Sequence, residues 1–228
     1  MFHLPKYPTS PLYTRSVTSP IGGANLIQAW KTGSNHTYPP IGHSNLCYTF
    51  IMIKQLSKKI VYENKWMKVR EDEVEFSNGK KGIYGVVDKP DFAMVIPFEN
   101  NGFYLVKQYR YPVEESYWEF PQGSYEEDGD IKPTDLAKNE LREETGLSTN
   151  KMKEIGFLYE AYGFSNQGFH IFLATDLEQG NQELEDSEGG MEVKFFSLEE
   201  FEEIIIDGEI TDAPTISAYG LMKAQKII

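Results

Sequence analysis

The chain has 228 residues, of which 40% are hydrophobic and 14% aromatic, and this is enough for one packed domain of moderate size with an appendage. Its 35 acidic and 22 basic side chains give a net charge of −13, which argues against general binding of nucleic acid or of anionic membranes. No run of 18 apolar residues occurs, so no membrane span is predicted. The single cysteine, Cys47, excludes an intramolecular disulfide and favours a reducing, cytoplasmic location.

The first 55 residues differ in composition from the rest. No Asp or Glu precedes Glu63, and Pro, Ser, Thr, Gly and Asn are abundant. The lack of acids and the scattered hydroxyl groups are typical of a transit peptide, whereas a single arginine and repeated prolines are not, because proline interrupts an amphipathic helix. We therefore predict that residues 1–55 form a disordered extension, with a targeting segment as the alternative.

Residues 56–90 are predicted to form an antiparallel β unit. Residues 59–63 and 66–76 are rich in β-forming side chains, the turn Ser77-Asn78-Gly79 is a strong hairpin signal, and 82–87 returns as a third strand. Two apolar strands, at 92–97 and 103–109, follow and begin a larger domain that covers residues 91–228.

The stretch 133–147 is predicted to form a helix with an acidic face. Pro133 and Thr134 are typical of a helix start, with Thr134 as the cap, and Gly146 is typical of a helix end. Three glutamates stand at i, i+3 and i+4: Glu140, Glu143 and Glu144. Their side chains project together and repel one another. A hard divalent cation such as Mg²⁺ would relieve this repulsion because it prefers carboxylate oxygen, and the alternative is a solvated acidic face.

Further strands and two helices are predicted after this helix. The strands are residues 155–159, 169–174 and 192–196. The acidic, glycine-containing segment 178–192 is predicted to be a mobile loop. Ser197 begins a helix with an apolar face, and Pro214 lies in the first turn of the last helix.

The acidic helix carries a recognisable motif. Residues 140–147 read Glu-Leu-Arg-Glu-Glu-Thr-Gly-Leu, and Gly123 lies upstream at a strand-to-loop exit. Together they resemble the signature of the Nudix family, in which an upstream glycine is followed by Arg-Glu-apolar-any-Glu-Glu-any-Gly-apolar. Asn139 stands where the family has arginine, and Ile131 stands where it has the first glutamate. The segment between Gly123 and the helix is also two residues longer than in the family.

The resemblance implies an α+β fold, the α/β/α Nudix sandwich, with a mixed β-sheet flanked by helices and an added N-terminal antiparallel sheet. In the ADP-ribose pyrophosphatase branch this added sheet helps to form a homodimer and part of the substrate pocket. The implied metal ligands are the Gln122 carbonyl, Glu140, Glu143, Glu144 and Glu188, and the metal is Mg²⁺ with Mn²⁺ as the alternative. Glu143, Glu144 and Glu188 are also the implied catalytic residues, and Glu188 would deprotonate the attacking water.

Two further stretches resemble that branch. In Lys107-Gln108-Tyr109-Arg110, the last residue stands where an arginine faces the substrate phosphates, and a planar guanidinium suits phosphate oxygens. Residues 161–168 resemble a loop near the terminal sugar, with Gln167 where ADP-ribose enzymes commonly have glutamate. The implied substrate-binding residues are therefore Arg110 and Gln167.

The implied function is Mg-dependent hydrolysis of the diphosphate of a nucleoside diphosphate sugar such as ADP-ribose, giving a nucleoside monophosphate and a sugar phosphate. Residues 118–123 also resemble dinucleoside-polyphosphate and RNA 5′-end pyrophosphohydrolases, although the acidic charge argues against long nucleic acids. Asn139 and Ile131 fit a third alternative, a degenerate Nudix module that binds a nucleotide without turnover. Trp118 and Phe120 are predicted to lie in the core rather than to stack on a base.

Overall fold

The structure is a computed structural model, and it describes residues 53–124, 131–184 and 189–228. The strands are β1 (Ile53–Glu63), β2 (Lys68–Phe76), β3 (Lys81–Asp88), β4 (Phe92–Glu99), β5 (Gly102–Arg110), β6 (Glu115–Glu119), β7 (Gln122–Ser124), β8 (Leu147–Ser148), β9 (Lys151–Tyr159), β10 (Gly168–Thr175), β11 (Glu178–Gln179) and β12 (Glu192–Ser197). The helices are α1 (Pro133–Thr145), α2 (Leu198–Ile206) and α3 (Ala213–Ala224). None of these helices is long and apolar enough to cross a membrane.

The N-terminal strands form an antiparallel sheet in the order β1-β2-β3. The predicted hairpin lies between β2 and β3, where Gly79 adopts a left-handed φ of 78°. β1 begins at Ile53, which pairs with Phe76, so residues 53–55 belong to this strand and not to the predicted extension. β1 begins this early because β2 extends to Phe76 and so provides backbone hydrogen-bonding partners as far as Ile53. Residues 1–52 of that extension lie outside the described residues.

The main sheet is mixed and has the order β12-β5-β4-β10-β9. β10 runs parallel to β4, whereas its pairing with β9 is antiparallel. On its other edge β4 is shared, because Phe98 and Glu99 pair with β5 while residues 92–94 pair with β7. The C-terminal part of β5 pairs instead with β6. β4 and β5 therefore diverge, and we call this divergence the fork.

Alternate residues of β4 face two separate cores. Phe92, Met94 and Ile96 pack on the side of α2 and α3, whereas Ala93 and Val95 pack on the side of α1. The period of two in a strand sends successive side chains to opposite faces. The sheet thus lies between helices on both faces, and the predicted α/β/α sandwich with an added N-terminal sheet is confirmed.

The ends of α1 differ in part from the prediction. Lys132 is the cap residue and Pro133 the first helical residue, so Thr134 lies inside the first turn and does not cap the helix. Proline favours this position because its fixed φ suits a first turn and it has no N–H to satisfy. At the other end Gly146 adopts a φ of 70° and donates its N–H to the Arg142 carbonyl, as predicted for a helix stop.

The start of the predicted mobile loop is anchored to the end of α1. β11 pairs with β8, and the N–H groups of Gly180 and Glu183 donate to the carbonyls of Gly146 and Glu143 at 2.7 and 3.0 Å. The Gln182 side chain donates to the Glu144 carbonyl at 2.7 Å. These bonds satisfy carbonyls that the end of a helix leaves without partners. Composition alone did not indicate this, since the acceptors are backbone atoms.

Candidate active site

A cavity of about 680 Å³ lies at the fork, and we call it the main cavity. Its walls come from β4 to β7, from the loop between β9 and β10, and from the start of α3. Charged side chains of both signs line it: Lys89, Arg110, Glu119, Glu160 and Asp212. A concave site with a few convergent charged groups is the form that small-molecule sites usually take.

Two glutamates of α1 reach the backbone of β7, which forms part of this wall. Glu144 is 1% exposed, and its Oε2 accepts a hydrogen bond from the Gln122 N–H at 3.0 Å. A Cβ at Gly123 would lie only 2.3 Å from the Glu140 carboxyl carbon, which is far inside van der Waals contact. Glycine is therefore needed here so that the Glu140 carboxylate can lie against the strand.

The third glutamate of the acidic face is oriented differently. Glu143 Oε1 accepts a hydrogen bond from Arg142 Nη2 at 2.8 Å, and Arg142 Nε also lies 3.5 Å from Glu183 Oε2. The structure thus brings Glu140 and Glu144 together at β7 and pairs Glu143 with its neighbour. Glu188 lies outside the described residues. Within the described ranges, no three His, Cys, Asp or Glu side chains are grouped so that they could hold a metal ion by themselves.

The donors at β7 nevertheless fit a hard divalent cation. Glu140 and Glu144 provide carboxylate oxygens beside Gln122 and Gly123, and the close packing at Gly123 leaves the Glu140 carboxylate where no Cβ could fit. Mg²⁺ commonly takes one or two protein carboxylates and completes its shell with water and substrate phosphates. A third protein carboxylate is therefore not required for the site to hold this type of ion.

Arg110 is fixed in the main cavity by a buried carboxylate. Its Nε donates to Glu119 Oε2 at 3.2 Å, and its Nη2 donates to Glu119 Oε1, so the contact is bidentate. Glu119 is only 2% exposed. Burial alone would lower the pKa of Arg110, but the carboxylates of Glu119, Glu144 and Asp212 raise it above the ordinary value. Burial raises the pKa of Glu119, and Arg110 offsets this only in part.

The register of β5 and β6 explains how these side chains face one cavity. Arg110 pairs with Glu115 and Gln108 with Tyr117, so Arg110, Tyr117 and Glu119 lie on one face of the hairpin. Sequence reasoning missed Glu119. The available signal was an acidic residue between two core aromatic residues in an otherwise apolar stretch.

The start of α3 closes the main cavity beside Gln122. Asp212 caps the helix, since its Oδ2 accepts from the Thr215 N–H at 2.8 Å, and the same oxygen lies 3.4 Å from Gln122 Nε2. Pro214 lies in the first turn, as predicted. Sequence reasoning saw the stretch around Asp212 only as a helix start, because a capping aspartate looks the same whether or not it also borders a cavity.

Gln167 also lies in the wall of the main cavity. Its side chain is 2% exposed, and its Nε2 donates to the Pro90 carbonyl at 2.8 Å. The structure therefore brings Gln167 and Arg110, the two predicted substrate residues, to the cavity that Gln122 and Gly123 also line. Trp118 and Phe120 are buried in the core, as predicted.

Comparison with protein families agrees with this architecture. Residues 88–218 match the model of the NUDIX domain, which covers more than half of the chain. The chain belongs to the Nudix hydrolases. Residues 53–87 of this Nudix hydrolase, which include β1, β2 and most of β3, match the nucleoside diphosphate sugar hydrolase N-terminal domain. The predicted enzyme class, a Nudix hydrolase acting on pyrophosphate bonds, is confirmed.

Individual relatives support the same family. The ADP-ribose pyrophosphatase of Bacillus subtilis (strain 168) is 31% identical over 175 residues, which cover 75% of this chain and 92% of that protein. The methanol dehydrogenase activator of Bacillus methanolicus is 28% identical over 177 residues, covering 77% and 95%. The crystal structure of an ADP compounds hydrolase has a TM-score of 0.68 at 22% identity, covers 77% of this chain and 97% of that chain, and supports the fold. Nudix hydrolases generally use a divalent metal, in agreement with the donors at β7.

Proposed function

We propose that this Nudix hydrolase cleaves the diphosphate of a nucleoside diphosphate sugar such as ADP-ribose, with Mg²⁺ or alternatively Mn²⁺, to give a nucleoside monophosphate and a sugar phosphate. The observation that carries the proposal is the main cavity, which Arg110 lines together with the β7 backbone against which Glu140 and Glu144 lie. A fixed cation for phosphate oxygens and a carboxylate pair for a metal are thus present side by side. The N-terminal domain model and the ADP-ribose pyrophosphatase relative support this class of substrate.

Hydrolysis breaks one P–O bond of the P–O–P bridge as the oxygen of a water molecule bonds to phosphorus, and the bridging oxygen leaves with the other phosphate. Arg110 binds and orients the phosphate oxygens, and Glu119 holds its guanidinium in place. Glu140, Glu144 and the Gln122 carbonyl hold the cation, with Glu143 and Glu188 as the further ligands and catalytic residues that the family resemblance implies. When bound, the divalent ion neutralises charge on the diphosphate and lowers the pKa of water.

The position of Gln167 supports a role for this residue in binding the sugar half of the substrate. It lines the main cavity through a side chain fixed by the Pro90 carbonyl, and it offers a neutral amide in place of a carboxylate. An amide both donates and accepts hydrogen bonds, so it can pair with sugar hydroxyls without carrying charge. We therefore expect a shifted sugar preference compared with ADP-ribose enzymes that have glutamate at this position.

The N-terminal sheet supports a homodimer. β1 is exposed along all of its eleven residues and carries Ile53, Leu56, Ile60 and Val61, and its one neighbour in the described part of the chain is β2. An exposed apolar edge strand is suited to pairing with another chain. The net charge of −13 supports a small anionic substrate bound with metal rather than long nucleic acid, and the single cysteine favours the cytoplasm.

A substrate panel tests the proposed function. ADP-ribose, GDP-mannose, diadenosine polyphosphates and 5′-triphosphorylated RNA are incubated with the full chain and Mg²⁺ or Mn²⁺, and products are identified by chromatography. We expect ADP-ribose or GDP-mannose to yield a nucleoside monophosphate and a sugar phosphate. Efficient cleavage of only the polyphosphates and RNA would contradict the assignment. Tight nucleotide binding without turnover of any substrate would favour the degenerate module.

A further inference from the structure

Residues 119–122, which run from the end of β6 to the start of β7, connect the two halves of the proposed site, and we call them the linking segment. Glu119, its first residue, makes the bidentate contact with Arg110. Gln122, its last residue, donates its N–H to Glu144 at 3.0 Å. The cation for phosphate oxygens and the carboxylates for a metal are thus joined through four consecutive residues.

The linking segment is hydrogen-bonded on two sides. Toward the main sheet, the Pro121 carbonyl accepts a hydrogen bond from the Val95 N–H of β4 at 2.9 Å. Toward α3, the Phe120 N–H donates to Thr215 Oγ1 at 3.0 Å. Phe120 lies between β6 and β7, so a side-chain hydroxyl accepts the hydrogen bond that a neighbouring strand would accept elsewhere in the sheet.

The bond between Phe120 and Thr215 is shielded from water. Both residues are 0% exposed, and they lie 95 positions apart in the sequence. A buried N–H that loses its acceptor cannot bond to solvent in its place, and leaving it unpaired is unfavourable. The position of the linking segment therefore depends on this hydroxyl.

The start of α3 is itself fixed, so it can serve as an anchor. Asp212 Oδ2 caps the helix by accepting from the Thr215 N–H at 2.8 Å, and it lies 3.4 Å from Gln122 Nε2. The Gln122 amide also donates toward Glu119, and this hydrogen bond opposes the rise in pKa that burial causes there. α3 therefore contacts the linking segment at its second residue through Thr215 and at its last residue through Asp212.

We propose that Thr215 is a positioning residue for the reaction, because its bond to the Phe120 N–H holds Arg110 and the metal-binding carboxylates in fixed positions relative to each other. The inference rests on the proposed function and adds to it a residue outside the main cavity. Thr215 is fully buried and is not among the described residues that line this cavity, so it acts through the linking segment. A misplacement of about 1 Å far from the chemistry can lower a rate severely.

Thr215→Val and Thr215→Ser test the proposal. Valine keeps the shape of threonine without the hydroxyl, whereas serine keeps the hydroxyl. Steady-state kinetics on a cleaved nucleoside diphosphate sugar, and calorimetric titration of Mn²⁺ without substrate, are measured on the full chain well below each melting temperature. In Thr215→Val we expect kcat/KM to fall and the Kd for Mn²⁺ to rise, each by roughly tenfold, as for other residues that orient metal ligands. Thr215→Ser should stay within about twofold of the wild type in both, because it keeps the orienting hydrogen bond.

Thr149→Val is the matched control. The Thr149 hydroxyl accepts from the Lys151 N–H at 2.8 Å and donates to the Thr175 carbonyl, and Thr149 is not among the described residues that line the main cavity. This variant should lower the melting temperature without changing kcat/KM or Mn²⁺ affinity. Equal losses in Thr149→Val and Thr215→Val would overturn the proposal, as would wild-type kinetics and Mn²⁺ affinity in Thr215→Val.

A double-mutant cycle separates positioning from a general loss of stability. Thr215→Val and Glu119→Gln disturb the same linking segment, so their effects on KM should be less than additive, whereas those of Thr149→Val and Glu119→Gln should add. Full additivity in the first pair would overturn the proposal. Should Thr215→Val not fold, Thr215→Cys replaces it, since a thiol is only a weak acceptor. Its losses should exceed those of Thr215→Ser, and equal values would overturn the proposal.

The titration with Mn²⁺ distinguishes this inference from the proposed function. If the wild type cleaves no nucleoside diphosphate sugar, but Thr215→Val alone weakens Mn²⁺ binding, the proposed function fails while the positioning role stands. If the sugar nucleotides are cleaved and Thr215→Val matches the wild type in both measurements, the inference fails alone.

Discussion

β4 and β1 show how differently two strands of this enzyme are used. The first six residues of β4 are buried, and their alternate side chains enter the two cores on either face of the main sheet. β1 is exposed over its whole length and pairs, within the described chain, with β2 alone. β4 reads as a nearly continuous apolar run, as expected for a strand covered on both faces, whereas β1 mixes apolar and charged residues.

The main sheet around β4 is the frame that positions the active-site residues, whereas β1 leaves an exposed surface for other contacts. β7 pairs with β4, and Glu140 and Glu144 lie against the backbone of β7. The two carboxylates are therefore held in place by the central sheet. The N-terminal sheet touches the site through the loop that β3 holds by backbone hydrogen bonds. We therefore expect large catalytic effects from changes at β7 and α1 and effects mainly on association from changes in β1.

The largest effect is expected for Glu140→Gln and Glu144→Gln. Each removes one charge of the carboxylate pair at β7 and keeps the shape of the side chain, so kcat should fall by roughly two orders of magnitude or more because cation-dependent charge stabilisation is lost. Steady-state kinetics over a range of Mg²⁺ concentrations measure the effect. Glu178→Gln, an exposed glutamate of β11, is the control. Rates close to wild type at limiting Mg²⁺ would remove the proposed metal site.

Glu119→Gln should have a smaller effect, on binding rather than on turnover. The charge-assisted contact that orients Arg110 is lost, and hydrogen bonds to charged groups contribute about 1.5–3 kcal/mol, so KM should rise about tenfold with a smaller change in kcat. Glu115→Gln is a close control, because Glu115 stands opposite Arg110 in the strand register but is exposed. Equal KM changes in the two variants would mean that Glu119 does not position Arg110.

The same variant should change the pH dependence of stability. Burial raises the pKa of Glu119 above its ordinary value of 4.5, and Arg110 offsets this only in part. A carboxyl with a raised folded-state pKa stabilises the fold fully below its unfolded-state pKa, and this contribution is lost as the pH rises through the folded-state pKa. Denaturant unfolding from pH 4 upward, about the start of this window, should show a shallower decline in Glu119→Gln than in the wild type. A steeper decline would contradict the raised pKa.

The sequence predicted the eight longer strands other than β6, together with α1 and its stop at Gly146, because these depend on local periodicity and on one glycine, and it did not predict β6, β7, β8 or β11. It did not predict the contact between Arg110 and Glu119, since strand register would pair Arg110 with Glu115. It also missed the anchoring of Gln182 at the end of α1, where the acceptor is a backbone carbonyl. Contacts that depend on strand register or on backbone acceptors leave no pattern along the chain.

A change in β1 should affect association and leave the frame intact. Ile60→Lys places a charge on the exposed apolar strand, so a homodimer formed through this sheet should dissociate, because burying an unpaired ammonium group is unfavourable. Sedimentation velocity measures the dissociation. The melting temperature of the resulting monomer should differ from that of the wild type by only a few degrees. Ile206→Lys is matched in chemistry and lies on the exposed face of α2. A wild type that is already monomeric would contradict the dimer.

The smallest effect is expected for Asn139→Arg, at the position where the Nudix signature has arginine. A guanidinium there lies one helical turn before Glu143, at i and i+4, and can compete with Arg142 for its carboxylate. Such pairs contribute only about 0.2–0.5 kcal/mol on a helix surface, so kcat should stay unchanged or rise by about twofold. Asn139→Gln, which adds length without charge, should leave kcat unchanged. A tenfold loss of kcat in Asn139→Arg alone would contradict this prediction. It would mean either that the asparagine has its own partner in the active site or that activity depends on the contact between Arg142 and Glu143, with which the introduced arginine competes.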